Sequence, residues 1–450
     1  MPKQKLPLKG FIVYGIGCLG WSISINLISV LLNYIYLPPT NSGMKNLIPP
    51  TVWLGFINII AIILFIGRGF DVIIDPLISN LTDRSKNKSG RRVPFMRYAF
   101  FPVALFCALI FCPPHSSDNS LNIYWLAGAQ LAFYFFYGMY TIPYNALLAD
   151  IGHDDKTKLN LSTAQSVGFI TGILFASSTT VIVKLVLHTG LLHDRLAAYQ
   201  YSIGGLNIVA AICLAVPAFL LDETKYADKP KSTGGLFQTL KVAFANRNFR
   251  IFVLADASYF MSIAIIGAGL LYYLKSMLRL GEEMGSIFML ITVLITLAFY
   301  ALVNWLGRKF SRKKMIIISF SASAIVFSEI FLLGKVPISP IIQASVLVVT
   351  YGIPNAFLQV LPTTIMADIS NESFEKTKQN EEGMFFGLRA FFQKIGQAFG
   401  VTVFAMLTTF GKDPGHDWGL RLSGIAGALL CVFAAIIYTQ YKEKNIKKNL

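Results

Sequence analysis

Long apolar runs, broken at short intervals by clusters of Lys, Arg, Pro, Gly and Asn, dominate the chain. A bilayer-crossing helix needs roughly 20 consecutive, mostly apolar residues. Twelve stretches reach that length: 11–36, 51–78, 94–114, 122–149, 163–187, 199–221, 249–274, 283–307, 315–334, 341–367, 384–410 and 419–440. The pattern predicts an all-α membrane protein of twelve transmembrane helices. The first stretch follows a short basic N-terminus, as a secretory leader would, but its apolar run is too long and lacks a small-residue cleavage site, so it is read as a retained helix.

The longest connection, 222–248, holds Asp222, Glu223, Pro230 and the turn-forming run Ser232-Thr-Gly-Gly, and it divides the helices six and six. The expected organisation is a bundle over 1–221, a cytoplasmic loop over 222–248 and a second bundle over 249–450. A faint repeat supports it: Tyr137-Gly138 leads through Pro143 to Asp150, and Tyr351-Gly352 leads through Pro354 and Pro362 to Asp368. Two pseudo-symmetric six-helix halves are similar to the major facilitator fold, in which substrate sits near mid-membrane between rocking halves. The chain holds no G-x-x-x-x-G-K-[ST] motif and no loop large enough for a nucleotide-binding domain, so the work is expected to come from a gradient.

Composition fits this reading: 54% of residues are hydrophobic and only 14% charged, with a mean hydropathy of +0.59. The net charge of +16 would suggest nucleic acid in a soluble protein. Here 28 of the 39 Lys and Arg fall on the side of the N-terminus, 6 on the opposite side and 5 within the stretches. That is the asymmetry of cytoplasmic loops, so both termini are expected inside and no nucleic-acid partner is expected. Five cysteines without CxxC spacing argue against a disulfide framework or a zinc site.

Ionised residues inside a spanning helix are costly and normally face a cavity or a partner. The second stretch carries Arg68, Asp71 and Asp75 at i, i+3 and i+7, on one helical face. One cation cannot neutralise two acids, so the face keeps a negative charge suited to a proton or a small cation. Pro76 frees a carbonyl one turn earlier as a further oxygen. The competing reading is a silent ion-pair cluster that holds helices together. Arg389 and Lys394 stand in the eleventh stretch among Phe385, Phe386, Phe391 and Phe392. Lys394 is placed facing the acids, against the alternative of reaching a headgroup, and for Arg389 both readings stand. Asp256 has no local partner and is read either as functional or as an interfacial acid near Arg250, whereas Glu329 is placed near water. Trp125 and Tyr34 are assigned to an interfacial belt, while Trp21, Tyr140 and Tyr144 lie deeper and are candidate substrate contacts.

The run from Arg68 to Arg84, with Asp71, Asp75-Pro76 and Asp83-Arg84, followed by Gly90-Arg-Arg-Val-Pro94, resembles the helix-two signature of the glycoside–pentoside–hexuronide:cation symporters, the melibiose-permease branch of the major facilitators. Pro143-Tyr-Asn-Ala-Leu, Trp305 with Gly307-Arg-Lys, Ala367-Asp-Ile and Lys394-Ile-Gly-Gln-Ala resemble further motifs of that family in order. The resemblance implies that Asp71 and Asp75 bind the coupling cation, with Arg68 and Lys394 as charge partners beside them. Two departures bear on the ion: Ile74 stands where sodium-using members often have Asn, and Gly138 stands where a helix-four hydroxyl would be. The expectation is therefore coupling to H⁺, with Na⁺ needing water or Thr141. The charged galactoside-clamping residues are replaced by Ser22, Thr141, Asn145 and Gln165 or Ser166. A neutral lining of Ser22, Asn26, Thr141, Asn145 and Gln165, with Arg389 or Lys394 for a carboxylate, points to a glycoside or uronide other than melibiose.

Asp83, Arg84, Arg91 and Arg92 are expected to latch the halves at the inner face as gating residues. The expected partners are a small-molecule sugar or uronide, a monovalent cation (H⁺ or Na⁺) and the lipid bilayer, for a monomer in a bacterial inner membrane with no metal, no other cofactor and no catalytic residue. Two alternatives stand beside this. A lysolipid carrier of the same fold shares the helix-two signature. A Mg²⁺-dependent membrane prenyltransferase would use the two D-x-x-x-D spacings at Asp71/Asp75 and Asp150/Asp154.

Overall fold

The computed structural model describes residues 6–53, 55, 57–85, 87, 89–152, 154–226, 243–377 and 382–443. The first half comprises α1 (Leu8–Tyr36), α2 (Ile59–Asp83), α3 (Val93–Ile110), α4 (Ser120–Ile151), α5 (Asp155–Ser177), α6 (Thr179–His188), α7 (Arg195–Leu220) and the short α8 (Glu223–Tyr226). The second comprises α9 (Arg247–Tyr272), α10 (Met284–Lys309), α11 (Arg312–Glu329), α12 (Pro340–Thr377), α13 (Glu382–Leu407) and α14 (Trp418–Tyr438). Each of the twelve predicted stretches contains a helix. Nine helices among the described residues are long and apolar enough to cross a membrane. α2, α4 and α10 fall outside that group, and α2 carries Arg68, Asp71 and Asp75.

Three stretches differ in detail from the prediction. The second opens not as helix but as a small antiparallel hairpin pairing Val52–Trp53 with Ile57–Asn58. Gly55, at φ 78°, supplies its left-handed turn. α2 starts only where the Asn58 side chain accepts from Ala61 N at 2.8 Å, an N-cap. The fifth stretch is divided at Ser178 into α5 and α6, where the Ser178 and Thr179 hydroxyls donate back to the Phe175 and Ala176 carbonyls, a pattern that bends helices. α9 runs on through a π-turn, Tyr273–Met277.

The chain forms two compact units, Met1–Thr233 with Gly281–Ser286, and Gly234–Leu280 with Ile287–Leu450. Of the 222–248 connection, Pro230 and Ser232-Thr-Gly-Gly lie outside the described residues. Inside the first unit α1 packs on α5 and α7, and α3 on α4 and α7; inside the second α9 packs on α13 and α14, and α11 on α12 and α14. The same pairing order in both is the structural counterpart of the faint sequence repeat. Small residues allow it. A Cβ on Gly168 of α5 would lie 2.2 Å from the Gly15 carbonyl of α1, and one on Gly396 of α13 would lie 2.3 Å from the Ala257 carbonyl of α9. Backbone approaches this close are how helices associate where the surrounding lipid offers no hydrophobic drive.

Candidate functional site

Arg68 and Asp71 are buried on α2, and Asp75 is half-buried one turn further on. The Arg68 guanidinium donates from Nη2 to Ser29 Oγ at 3.0 Å and stacks over the Tyr134 ring, 5.3 Å from its centroid. Its Nε is buried and has no hydrogen-bond partner among the described residues. Both Arg68 and Asp71 lie close enough to Tyr137 of α4 for their charges to be felt there. Pro76 inside α2 leaves the Val72 carbonyl without its intrahelical donor. α4 meets this face through Gly138: a Cβ built there would lie 3.6 Å from Asp75 Oδ1 and 3.3 Å from Ile74 Cγ2 and Ile78 Cδ1. One face of α2 thus carries two acids and one base.

The predicted lining residues separate into two groups. Asn145 is exposed on α4 and accepts from Gln165 Nε2 of α5 at 2.8 Å. Asn26 is half-buried and donates to the Ser22 carbonyl at 2.8 Å and to Ser22 Oγ at 3.2 Å. Trp21 packs against Phe169 and Tyr137, with ring centroids 5.3 and 6.3 Å apart. Buried Ser22 donates across to the Phe169 carbonyl at 2.7 Å, and Thr141 donates to the Tyr137 carbonyl at 2.9 Å. Tyr140 and Tyr144 correct the expectation of substrate contact. Both are fully buried, donating to the Leu214 and Tyr14 carbonyls at 2.8 and 2.6 Å. The Tyr144 ring lies flat on Tyr14 at 4.4 Å. They bind α4 to α7 and α1, because a phenol packed between helices must spend its hydroxyl on an available carbonyl.

In the second unit, Asp256 of α9 is buried and accepts from Arg389 Nε at 2.9 Å, Arg389 Nη2 at 3.3 Å and Gln393 Nε2 at 2.7 Å. Phe252 covers the guanidinium. Asp256 is therefore neither an unpartnered acid nor a neighbour of Arg250 alone, and Arg389 is committed to a closed ion pair rather than to substrate. Lys394 lies half-buried just over one turn further along α13.

The inner ends of the helices carry matching carboxylate clusters. Arg91 Nη2 and Arg92 Nε both bind Asp150 Oδ2 at 3.1 Å. Glu223 caps the start of α3, accepting from the backbone N–H groups of Arg91, Arg92 and Val93 at 2.8, 2.8 and 2.9 Å. In the second unit Arg312 binds Asp368 at 2.6 Å, and Glu443 accepts from Arg312 N at 2.9 Å and from Ser311 Oγ. An anion at a helix N-terminus is favoured by the free N–H groups and the dipole. Arg91 and Arg92 thus have partners inside their own unit. Arg84 is exposed, and the Asp83 side chain lies outside the described residues. Glu223 and Gln393 carry no sequence signal of these roles, whereas Asp150 is marked by the repeat it shares with Asp368 and by its D-x-x-x-D spacing to Asp154. Asp150 held by two arginines, and Asp154 accepting from Thr157 N as the cap of α5, leave the second D-x-x-x-D spacing no Mg²⁺-diphosphate role.

The family described as MFS/sugar transport protein matches residues 52–417. The chain is 22% identical to the inner membrane symporter YicJ of Escherichia coli (strain K12), over 83% of this chain and 79% of that one. It is 21% identical to the sodium-dependent lysophosphatidylcholine symporter 1-A of Danio rerio, over 77% and 70%. Among solved structures, a D-xylose-proton symporter shares the fold with a TM-score of 0.65 at 16% identity, over 98% of this chain and 99% of that one.

Proposed function

Because the chain belongs to the MFS/sugar transport protein family, we propose that it is a cation-coupled symporter that carries a glycoside or uronide by alternating access. The family is one of transporters, which displaces the prenyltransferase alternative. The observation that carries the coupling is the α2 face, where Asp71 and Asp75 outnumber Arg68 at membrane depth. The coupling ion is a proton. Ile74 and Gly138 bring no side-chain oxygen to Asp75. A proton needs only one carboxylate made basic by burial and a like neighbour, whereas Na⁺ needs several oxygens.

Asn26, Asn145 and Gln165 offer the neutral amides that hydrogen-bond a polyol, with Trp21 beside them as an apolar face. Lys394, half-buried on α13, is the cation we assign to a uronide carboxylate. The Lys and Arg distribution supports cytoplasmic termini; a bacterial inner membrane and a monomeric carrier belong to the same proposal. A second reading, a lysolipid carrier, is favoured by the name of the zebrafish relative.

Thermal stabilisation and uptake in proteoliposomes, with arms for glycosides, uronides and lysophosphatidylcholine, test the proposal. It expects a sugar or uronide to stabilise and to be taken up faster under an inward proton gradient without Na⁺. Stabilisation by lysophosphatidylcholine alone would overturn it in favour of the second reading, and uptake driven by Na⁺ and indifferent to pH would overturn the proton.

A further inference from the structure

Within the first unit, α1 and α4 meet α2 at Arg68, through Ser29 and Tyr134, and the three helices bring there more polar atoms than they pair. Gln130 of α4 is 0% exposed, and neither its Oε1 nor its Nε2 has a hydrogen-bond partner among the described residues. The same holds for Arg68 Nε and, deeper on α1 beside Tyr137, for Trp21 Nε1. Gln130 lies against α2: a Cβ built on Gly67 would stand 2.4 Å from Gln130 Nε2 and 2.6 Å from its Cδ. Only glycine leaves that place to the amide, and the next residue is Arg68. One turn along α4, Tyr134 carries the Arg68 guanidinium over its ring. Tyr137 and Gly138 follow on the same face, beside Asp71 and Asp75.

A buried amide with neither end satisfied is costly, and more so at membrane depth. Met would fill the same space without that cost. The chemistry left open is specific. Arg68 Nε and Gln130 Nε2 can only donate, and Gln130 Oε1 can only accept. A cation would find a single oxygen next to a guanidinium, and an anion would be repelled by that oxygen. Water both accepts and donates, and a buried water typically makes about three hydrogen bonds to such groups.

We propose that Gln130 and Arg68 hold a buried water beside the α2 acids, and that this water fixes the guanidinium, which makes Gln130 a positioning residue of the coupling site. With Nη2 serving Ser29 and Nε serving the water, the guanidinium keeps its place over Tyr134. The inference rests on the coupling reading of α2 and adds the group that holds its arginine.

Radiolytic hydroxyl-radical footprinting of the intact carrier in proteoliposomes, read by mass spectrometry at single residues, tests it. Radicals formed from a bound water attack the nearest ring even when that ring is buried. Tyr134, Tyr140 and Tyr144 are all fully buried, but the last two donate their hydroxyls to carbonyls. Tyr134 is expected to be modified about tenfold faster than either, because an ordered water stays beside it. Gln130→Met keeps the length of the side chain and removes both hydrogen-bonding ends. It is expected to bring Tyr134 down to the rate of the other two and to lower proton-driven uptake about fivefold, as for one lost hydrogen bond, with Gln130→Asn restoring part of both. If Gln130→Met does not fold, Gly67→Ala, which displaces the amide, gives the same reading. Tyr134 modified no faster than Tyr140 in wild type, or no slower in the variants, would overturn the water. Tyr134 protected in Gln130→Met with uptake unchanged would overturn the positioning role. The footprint needs neither substrate nor gradient, so failure of glycoside uptake would remove the substrate class while leaving the footprint to judge the water.

Discussion

The two units bury charge in opposite ways. On α9 and α13, Asp256, Arg389 and Gln393 form a cluster in which one acid meets one base through three hydrogen bonds of 2.7–3.3 Å. On α2, two acids share a face with one arginine, whose guanidinium donates to the neutral Ser29. A one-to-one pair inside a bilayer is a packing device, whereas a face carrying two acids and one base is where a coupling ion is expected to act. Intramembrane ionisable residues are thus separated by local charge balance, not by burial, since Arg68, Asp71, Asp256 and Arg389 are all buried.

That contrast is broken most severely in the second unit. Asp256→Asn leaves Arg389 charged and buried, and is expected to destabilise the fold by about 3–5 kcal/mol, read as a fall in melting temperature in detergent or lipid. Asp256→Leu combined with Arg389→Met should restore most of it. Asp71→Asn keeps the shape of the α2 face but removes one of its two acids, and is expected to abolish coupled uptake while costing less stability than Asp256→Asn. Equal destabilisation by Asp71→Asn and Asp256→Asn would erase the distinction. At the inner ends, Glu223→Gln keeps the shape of the α3 cap but loses its charge, and should cost about 1.5–3 kcal/mol with substrate affinity unchanged in a binding assay.

The sharpest refinement of the α2 side is Gly138→Ser. The new Cβ would lie 3.3 Å from Ile74 Cγ2 and Ile78 Cδ1, a tight contact relieved by shifts of a few tenths of an ångström, and it brings an oxygen to Asp75. Uptake should gain Na⁺ stimulation of about tenfold, some 1.4 kcal/mol of ion preference, measured at zero pH gradient. The smallest expected effect is Gln165→Ala. It removes the exposed hydrogen bond to Asn145 and one candidate substrate contact, for a loss of about 0.5–1.5 kcal/mol in substrate binding with proton dependence intact.

Much of this was legible along the chain. The α2 face could be read because charges at helical spacing inside an apolar run declare both their face and their depth. The repeat around Asp150 and Asp368 likewise marked positions that bind arginines at the inner ends of both units. What could not be read were partners distant in sequence. Arg389 finds Asp256 133 positions away, and only the close approach of α13 to α9 at Gly396 brings them together. Tyr140 and Tyr144 misled for a related reason, since a phenol lining a path and one bridging two helices have the same periodicity. Glu282 gave no signal, because an acid in a short loop looks solvated until Tyr34, Arg195 and Tyr199 close over it.

The central claim is that the negative charge on α2 is where the coupling ion comes and goes. It is tested most directly by comparing uphill accumulation with downhill exchange of the same substrate in proteoliposomes holding wild type or Asp75→Asn. The account predicts that wild type concentrates substrate under an inward proton gradient, while Asp75→Asn still exchanges labelled for unlabelled substrate but accumulates none. Undiminished accumulation by Asp75→Asn would contradict it.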